Sequence, residues 1–263
     1  MKYNGAVFFD YDGTLTDDKS GIERPTERTR NAIAALRKNG YLAILATGRA
    51  IPYVYEMGIE FDGMVTSNGT YAQVGEKVIF DRPLDGEAAE RLYARLAEMN
   101  VPYGIDHPVR CISTDVKHPV FQHWIHTFSI REESYRNMVA GEKIKGYKLS
   151  VLFDTFEQID ALREEFGEYF TFDCMRTYKC ADVNKRGYSK ASGVKAICEY
   201  FGLPTEKTYA FGDSMNDLEM IKCVGHGVAM GEHAEEVGKN AEFITRRVCE
   251  EGIEYGLKHY GLI

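Results

Sequence analysis

The chain has 263 residues, 44% of them hydrophobic and 27% charged, which fits a globular protein and excludes a fibre or a disordered chain. That length allows one large domain, or a catalytic domain with a second module. A formal net charge of −8 works against a nucleic-acid partner, because binding a phosphate backbone needs concentrated Lys and Arg.

The six cysteines (Cys111, Cys174, Cys180, Cys198, Cys223 and Cys249) are scattered and form no C-x-x-C pair, so they read as reduced thiols in a cytosolic protein. The start, Met1-Lys2-Tyr3-Asn4-Gly5, lacks the long apolar stretch of a signal peptide. No run approaches the roughly 18 apolar residues of a membrane span. A cytoplasmic protein is expected, with no membrane partner and no obligate protein partner.

Ala6 to Phe9 is a short apolar run ending in a carboxylate, as expected of a buried parallel strand that delivers Asp10 at its carboxyl end. After Pro25, Thr29, Ala32, Ile33 and Leu36 recur at helical spacing, and Gly40 supplies a stop. Tyr41 to Ala46 and Met64 to Thr66 read as further strands, which gives a βαβ rhythm and a parallel sheet. After about Pro83 the character becomes α+β. A helix is expected near Glu87 to Met99, a strand over Tyr147 to Phe153 and a helix near Phe156 to Phe166. From Ser189 the α/β pattern returns, with Val194, Ile197, Cys198 and Phe201 on a helix and strands at Thr208 to Phe211 and His226 to Met230. The expected architecture is therefore α/β: a Rossmann-like parallel-sheet core domain from residues 1–83 and 186–263, with residues 84–185 as an inserted α+β domain.

The chemistry begins at Asp10-Tyr11-Asp12-Gly13-Thr14. Two carboxylates two residues apart at a strand end point to one side, and Gly13 lets the chain turn sharply beyond them. The carboxyl edge of a parallel sheet is where open α/β folds bind ligands. Taken alone, the segment could equally be an acidic turn. Thr47-Gly48-Arg49 after the second strand offers a hydroxyl, a glycine N–H and a guanidinium for phosphate oxygens, although as a lone tripeptide it reads as well as a turn. Gly212-Asp213-Ser214-Met215-Asn216-Asp217 again places acids at a strand end. With Asp10 and Asp12 these acids gather four carboxylates at one edge, an arrangement that needs a cation; hard oxygen donors favour Mg²⁺ over zinc. Lys190 shares the core-facing stripe of its helix with Val194 and Ile197. Such a lysine usually snorkels to water, but a phosphate and an aspartate would supply the anions that a buried ammonium needs.

In order and spacing, Asp10 to Leu15, Thr47 to Arg49, Ser67-Asn68-Gly69, Ser189-Lys190, Gly212 to Asp217 and Gly227-Val228-Ala229-Met230-Gly231 resemble the haloacid dehalogenase superfamily, specifically its Cof-like branch of metabolite phosphatases. The resemblance implies Asp10 as nucleophile and Asp12 as general acid/base. It also implies Mg²⁺ on Asp10, the Asp12 carbonyl and Asp213. Thr47, Gly48, Arg49 and Lys190 would bind phosphate, with Asn216 and Asp217 supporting the site. Glu232-His233 departs from the Asn-Ala that follows the last motif in many relatives. Only 32 residues separate Thr14 from Thr47, whereas 140 separate Arg49 from Lys190. The insertion therefore resembles the type IIB cap, which closes over small phosphorylated metabolites.

The substrate is left open among sugar phosphates, pyridoxal phosphate and flavin mononucleotide. Arg110, Lys148, Arg176, Tyr178 and Lys179 are candidate selectors, and each could equally be a surface residue. His118, His123 and His126 flank Trp124 without an H-E-x-x-H pattern or a nearby cysteine pair, which disfavours zinc. A phosphomutase and a noncatalytic binding module are the rival functions. The intact set Asp10, Asp12, Lys190 and Asp213 argues against the module.

Overall fold

The structure is a computed structural model that describes residues 3–263. Met1 and Lys2, the start of the segment read against a signal peptide, lie outside the described residues. In chain order the first elements are β1 (Gly5–Phe9), α1 (Glu27–Lys38), β2 (Tyr41–Ala46), β3 (Gly63–Thr66), β4 (Tyr71–Val74) and β5 (Lys77–Asp81). Then come α2 (Glu87–Glu98), β6 (Tyr103–Ile105), β7 (Cys111–Ser113), α3 (Pro119–Thr127), β8 (Tyr135–Asn137), β9 (Leu149–Leu152), α4 (Phe156–Phe166), β10 (Phe170–Met175) and β11 (Cys180–Lys185). The chain ends with α5 (Lys190–Phe201), β12 (Thr208–Gly212), α6 (Leu218–Cys223), β13 (His226–Ala229), α7 (Glu235–Asn240), β14 (Phe243–Ile244) and α8 (Gly252–His259).

These elements form two compact units. The first contains the chain up to Gly48, Glu56–Asp81 and Ser189–Ile263; the second contains Arg49–Tyr55 and Arg82–Tyr188. Among the described residues no helix is long and apolar enough to cross a membrane.

The sheet of the first unit has the order β14-β13-β12-β1-β2-β3-β4-β5. It is parallel from β14 to β3. The outer two strands, β4 and β5, run antiparallel, so the sheet is mixed at that edge where the sequence predicts only parallel strands. The positive φ values of Ser67, Asn68 and Gly69 turn the chain back after β3, a hairpin signal that hydrophobic periodicity does not carry. β1 lies at the centre of the sheet and all five of its residues are buried, which explains its unbroken apolar run. Thr26 caps α1 by accepting from Thr29 N at 3.1 Å, and the buried stripe is Thr29, Ala32, Ile33 and Leu36. The helix stops before Gly40, at φ 82°. Register pairs Phe9 with both Leu45 and Phe211, so β1, β2 and β12 end level and release Asp10, Thr47 and Asp213 at one edge.

The inserted unit carries a second sheet, of order β10-β11-β9-β6-β7-β8. Leu92 and Leu96 of α2 and Ile159, Leu162 and Phe166 of α4 join Tyr103, Ile105, Leu149, Val151 and Val183 in one apolar cluster. A second cluster joins Phe121 and Trp124 of α3 to Leu152, Cys180, Tyr135 and Tyr53. The segment 49–55, which sequence spacing gives to the core, groups with this inserted unit. The Tyr53 hydroxyl donates to Asp106 Oδ1 at 2.7 Å, and Ser134 Oγ donates to the Pro52 carbonyl at 2.8 Å. Such long-range bonds leave no periodic trace in the sequence.

Gly69 shows how closely the elements of the first unit approach. It has φ 89°, and a Cβ there would fall 1.9 Å from the Ser189 carbonyl oxygen. Gly75 has φ 53° with nothing within 4 Å of its would-be Cβ. Gly75→Ala should therefore cost about 1–2 kcal/mol, the penalty of left-handed backbone alone. Gly69→Ala should lower the melting temperature several degrees further. Equal melting temperatures for the two variants would contradict the close approach.

Candidate active site

At the head of β1, Asp10 is 4% exposed and its backbone N–H donates to the Phe211 carbonyl at 3.0 Å. Lys190 opens α5, where Ser189 and Ser192 form a capping box, and its ammonium is 0% exposed. That ammonium donates to Asp10 Oδ1 at 2.5 Å and to Asp217 Oδ1 at 2.6 Å. The other Asp217 oxygen accepts from the backbone N–H groups of Asp213 and Ser214, both at 3.0 Å. Thr14 Oγ1 donates to Asp213 Oδ1 at 3.0 Å. Thr47, 1% exposed, is fixed through its N–H to the Val65 carbonyl at 2.8 Å.

Carboxylate oxygens of Asp10, Asp213 and Asp217 lie within 4.8 Å of one another. Three acids converge rather than the four expected from the sequence, because the Asp12 side chain is exposed and stands outside this group. The backbone beyond it turns tightly, with Gly13 N donating to the Thr16 carbonyl at 2.9 Å. Asp217 is already committed to Lys190 and two backbone donors, which leaves Asp10 and Asp213 as the acids best able to take a cation. Gly13 makes room for Asp213: at φ 87°, a Cβ on it would fall 2.4 Å from Asp213 Oδ2. An all-oxygen set of this kind suits a hard divalent ion such as Mg²⁺.

Electrostatics agree with a crowded anionic centre. Burial, then the Asp217 charge, push the Asp10 carboxyl well above its usual range, while Lys190 opposes them. Burial and Asp217 likewise raise Asp213 to about 7. For Lys190, burial pulls the ammonium down, but Asp10 and Asp217 more than offset it and keep it charged.

Asn216 is exposed, and its Nδ2 donates to Asn68 Oδ1 at 3.3 Å. Asn68 also lies 2.7 Å from a would-be Cβ on Gly48. Ser67 and Asn68 both have positive φ, at 48° and 52°, a conformation that non-glycine residues keep only where their surroundings enforce it. Thr14 and Asn68 are thus site neighbours that chemical reading of the sequence does not assign; their place in the D-x-D-G-T and Ser-Asn-Gly segments was the available signal. Arg49 belongs to the inserted unit, where its Nη1 donates to the Tyr53 carbonyl at 3.3 Å. Glu232 forms an exposed ion pair with Lys19, and His233 Nδ1 meets the Met230 carbonyl at 2.6 Å.

Of the candidate selectors, Lys148 is buried, whereas Arg110, Arg176, Tyr178 and Lys179 are exposed. His123 and His126 are exposed on α3, and His118 caps that helix by accepting from Val120 N at 3.3 Å, which accounts for it without a metal.

Removing the Lys190 ammonium leaves buried Asp10 and Asp217 unbalanced. Lys190→Met should cost about 3–5 kcal/mol, the scale for breaking a buried pair. Without the cation the Asp10 carboxyl, already raised by burial, rises further above its unfolded value, so the penalty grows as pH rises through it. Thermal melts should therefore show a larger loss at pH 8 than at pH 5.5, and a pH-independent loss would contradict the ion triad.

A family model described as haloacid dehalogenase-like hydrolase matches residues 7–257. The protein YkrA of Bacillus subtilis (strain 168) is 32% identical over 266 residues, covering 98% of each chain. The 5-amino-6-(5-phospho-D-ribitylamino)uracil phosphatase YitU of the same organism is 28% identical, covering 97% of this chain and 96% of its own. Among solved structures, the HAD subclass IIB sugar phosphatase BT4131 superposes with a TM-score of 0.82 at 26% identity, covering 98% of this chain and 100% of that one.

Proposed function

Because the chain belongs to the haloacid dehalogenase-like hydrolase family and is a phosphatase, we propose that it hydrolyses a small phosphorylated metabolite in two steps, through an aspartyl-phosphate on Asp10 with Mg²⁺ bound. The observation that carries this reading is the buried Lys190 ammonium bonded to Asp10, with Asp213 in the same carboxylate group. Relatives named for ribitylaminouracil phosphate and sugar phosphates support the substrate class.

Asp10 attacks phosphorus, and the resulting acyl phosphate divides one difficult displacement into two easier ones. Lys190 orients Asp10 and neutralises charge on the transferring group. Thr47, with the N–H groups around Gly48, holds phosphate oxygens. Asp12, whose side chain is exposed next to the reacting acid, protonates the leaving oxygen and then activates water. Asp10, the Asp12 carbonyl and Asp213 would hold Mg²⁺, with Asp217 fixing the Asp213 backbone. When bound, the ion supplies charge stabilisation for the phosphoryl oxygens and relieves repulsion among the acids. Asn216 completes the phosphate contacts in this proposal.

Asp10→Asn should abolish phosphate release while the protein stays folded, since the amide is nearly isosteric but lacks the anionic nucleophile. Asp12→Asn retains nucleophile and carbonyl. With an aryl phosphate, which needs little leaving-group protonation, it should give a burst of phenol and a phosphorylated Asp10 detectable by intact mass. Wild-type turnover by the first variant, or neither burst nor label in a folded second one, would refute these roles.

The metal reading is checked apart from activity. Mg²⁺ should raise the melting temperature of the chelator-treated wild type. Asp213→Ala should raise the Mg²⁺ concentration for half-maximal stabilisation more than about tenfold, the lower end for losing even an outer partner. No Mg²⁺-dependent stabilisation of the wild type would count against it.

A further inference from the structure

Glu232 and His233, the two residues that stand where the resemblance expects Asn-Ala, take no part in the chemistry described so far. They lie on the loop between β13 and α7, which borders a cavity of about 380 Å³ together with Asp12 and Asp213. A segment with a cavity along one side receives little packing there, so its shape depends on its own bonds. Met230 N–H donates to the Gly212 carbonyl at 3.0 Å, Gly231 N–H to the Arg246 carbonyl at 3.0 Å and Ala234 N–H to the Asp213 carbonyl at 2.7 Å. Asp213 is therefore gripped at three points. Thr14 takes its carboxylate and Asp217 its N–H, while the loop takes its carbonyl through Ala234.

His233 stands one residue before Ala234 and ties the loop to itself. Its Nδ1 meets the Met230 carbonyl at 2.6 Å; a carbonyl only accepts, so Nδ1 carries the proton and donates. An alanine at 233 could make no such bond. A feature of a different element is fitted to this ring. α7 carries Gly238 inside the helix, where glycine is less stable than alanine, and its φ is not positive, so the backbone does not call for glycine. A Cβ at 238 would fall 2.2 Å from His233 Nε2 and 2.6 Å from its Cδ2, so the missing side chain is the room that the imidazole fills. Glu232, by contrast, reaches Lys19 in an ion pair whose side chains are both exposed, and such a pair holds little.

We infer that His233 is a positioning residue for Asp213: by closing the loop onto the Met230 carbonyl it holds the Ala234 N–H against the Asp213 carbonyl and so fixes the direction in which the Asp213 carboxylate meets the metal. Mg²⁺ demands near-ideal octahedral geometry, so a small shift in one ligand's backbone weakens its binding. The role belongs to the side chain at 233 and to the space left at 238, and it uses none of the groups that touch the phosphate. This inference rests on the Mg²⁺ reading above.

The test reads the Mg²⁺ concentration that gives half-maximal thermal stabilisation of the chelator-treated protein, alongside its melting temperature without metal. His233→Ala should raise that concentration about 3- to 10-fold, the fold-change of one net hydrogen bond. His233→Asn, whose amide nitrogen stands where Nδ1 stood and can donate to the Met230 carbonyl, should stay within about twofold of the wild type. Gly238→Ala displaces the ring and should act like His233→Ala, and it serves if that variant fails to fold. Added to His233→Ala, it should raise the concentration no further. An unchanged Mg²⁺ concentration in His233→Ala or Gly238→Ala, even with lower metal-free stability, overturns the inference and leaves the metal reading standing. So does a His233→Asn protein as weak as His233→Ala. A wild type that Mg²⁺ does not stabilise overturns that reading and this inference with it.

Discussion

The site depends on one buried ammonium. Lys190 has no exposed surface, and its two short bonds to Asp10 and Asp217 tie the start of α5 to the end of β1 and to the loop after β12. A charge buried this completely is tolerable only with anionic partners, and two buried carboxylates side by side are tolerable only with a cation. The ion triad therefore fixes three separate chain segments at a single sheet edge. The same triad leaves Asp10 one carboxylate oxygen outside the Lys190 bond, which suits attack by a nucleophile held in a fixed direction.

The surrounding backbone serves that arrangement through close approach. Gly13 admits the Asp213 carboxylate, Gly212 leaves space beside Asp217, and Gly69 lets the strained turn after β3 approach Ser189. Asp217 acts in two directions, with one oxygen on Lys190 and the other on the N–H groups of Asp213 and Ser214. Asp217, read from the resemblance as a support of the site, is thus the brace between Lys190 and the backbone of Asp213.

Much of the α/β frame was legible because buried strands and amphipathic helices write their periods directly into the chain. Ala6 to Phe9, the Thr29-to-Leu36 stripe, Tyr41 to Ala46 and Phe156 to Phe166 all recur in the structure within a residue or so. Acids at strand ends were legible for the same reason, since a run of apolar residues halting at Asp10 or before Asp213 marks the sheet edge. What escaped was long-range or conformational. Nothing local in the sequence announces that 49–55 joins the inserted unit, because its anchors, Asp106 and Ser134, lie more than 50 residues away. The exposure of Asp12 leaves no periodic trace, and the antiparallel β4 and β5 depend on the positive φ values of Ser67, Asn68 and Gly69 rather than on periodicity. Lys148 was one of five equivalent basic or aromatic candidates until its burial beside Asp106 and Asp182 separated it from the exposed four.

The central claim, that the phosphoryl group passes through Asp10 before it reaches water, is tested most directly by the stereochemical course at phosphorus. A substrate made chiral there by isotopic labelling should yield phosphate of retained configuration, because two successive in-line displacements each invert it. Net inversion would mean that water attacks the substrate directly, and would contradict the covalent role assigned to Asp10.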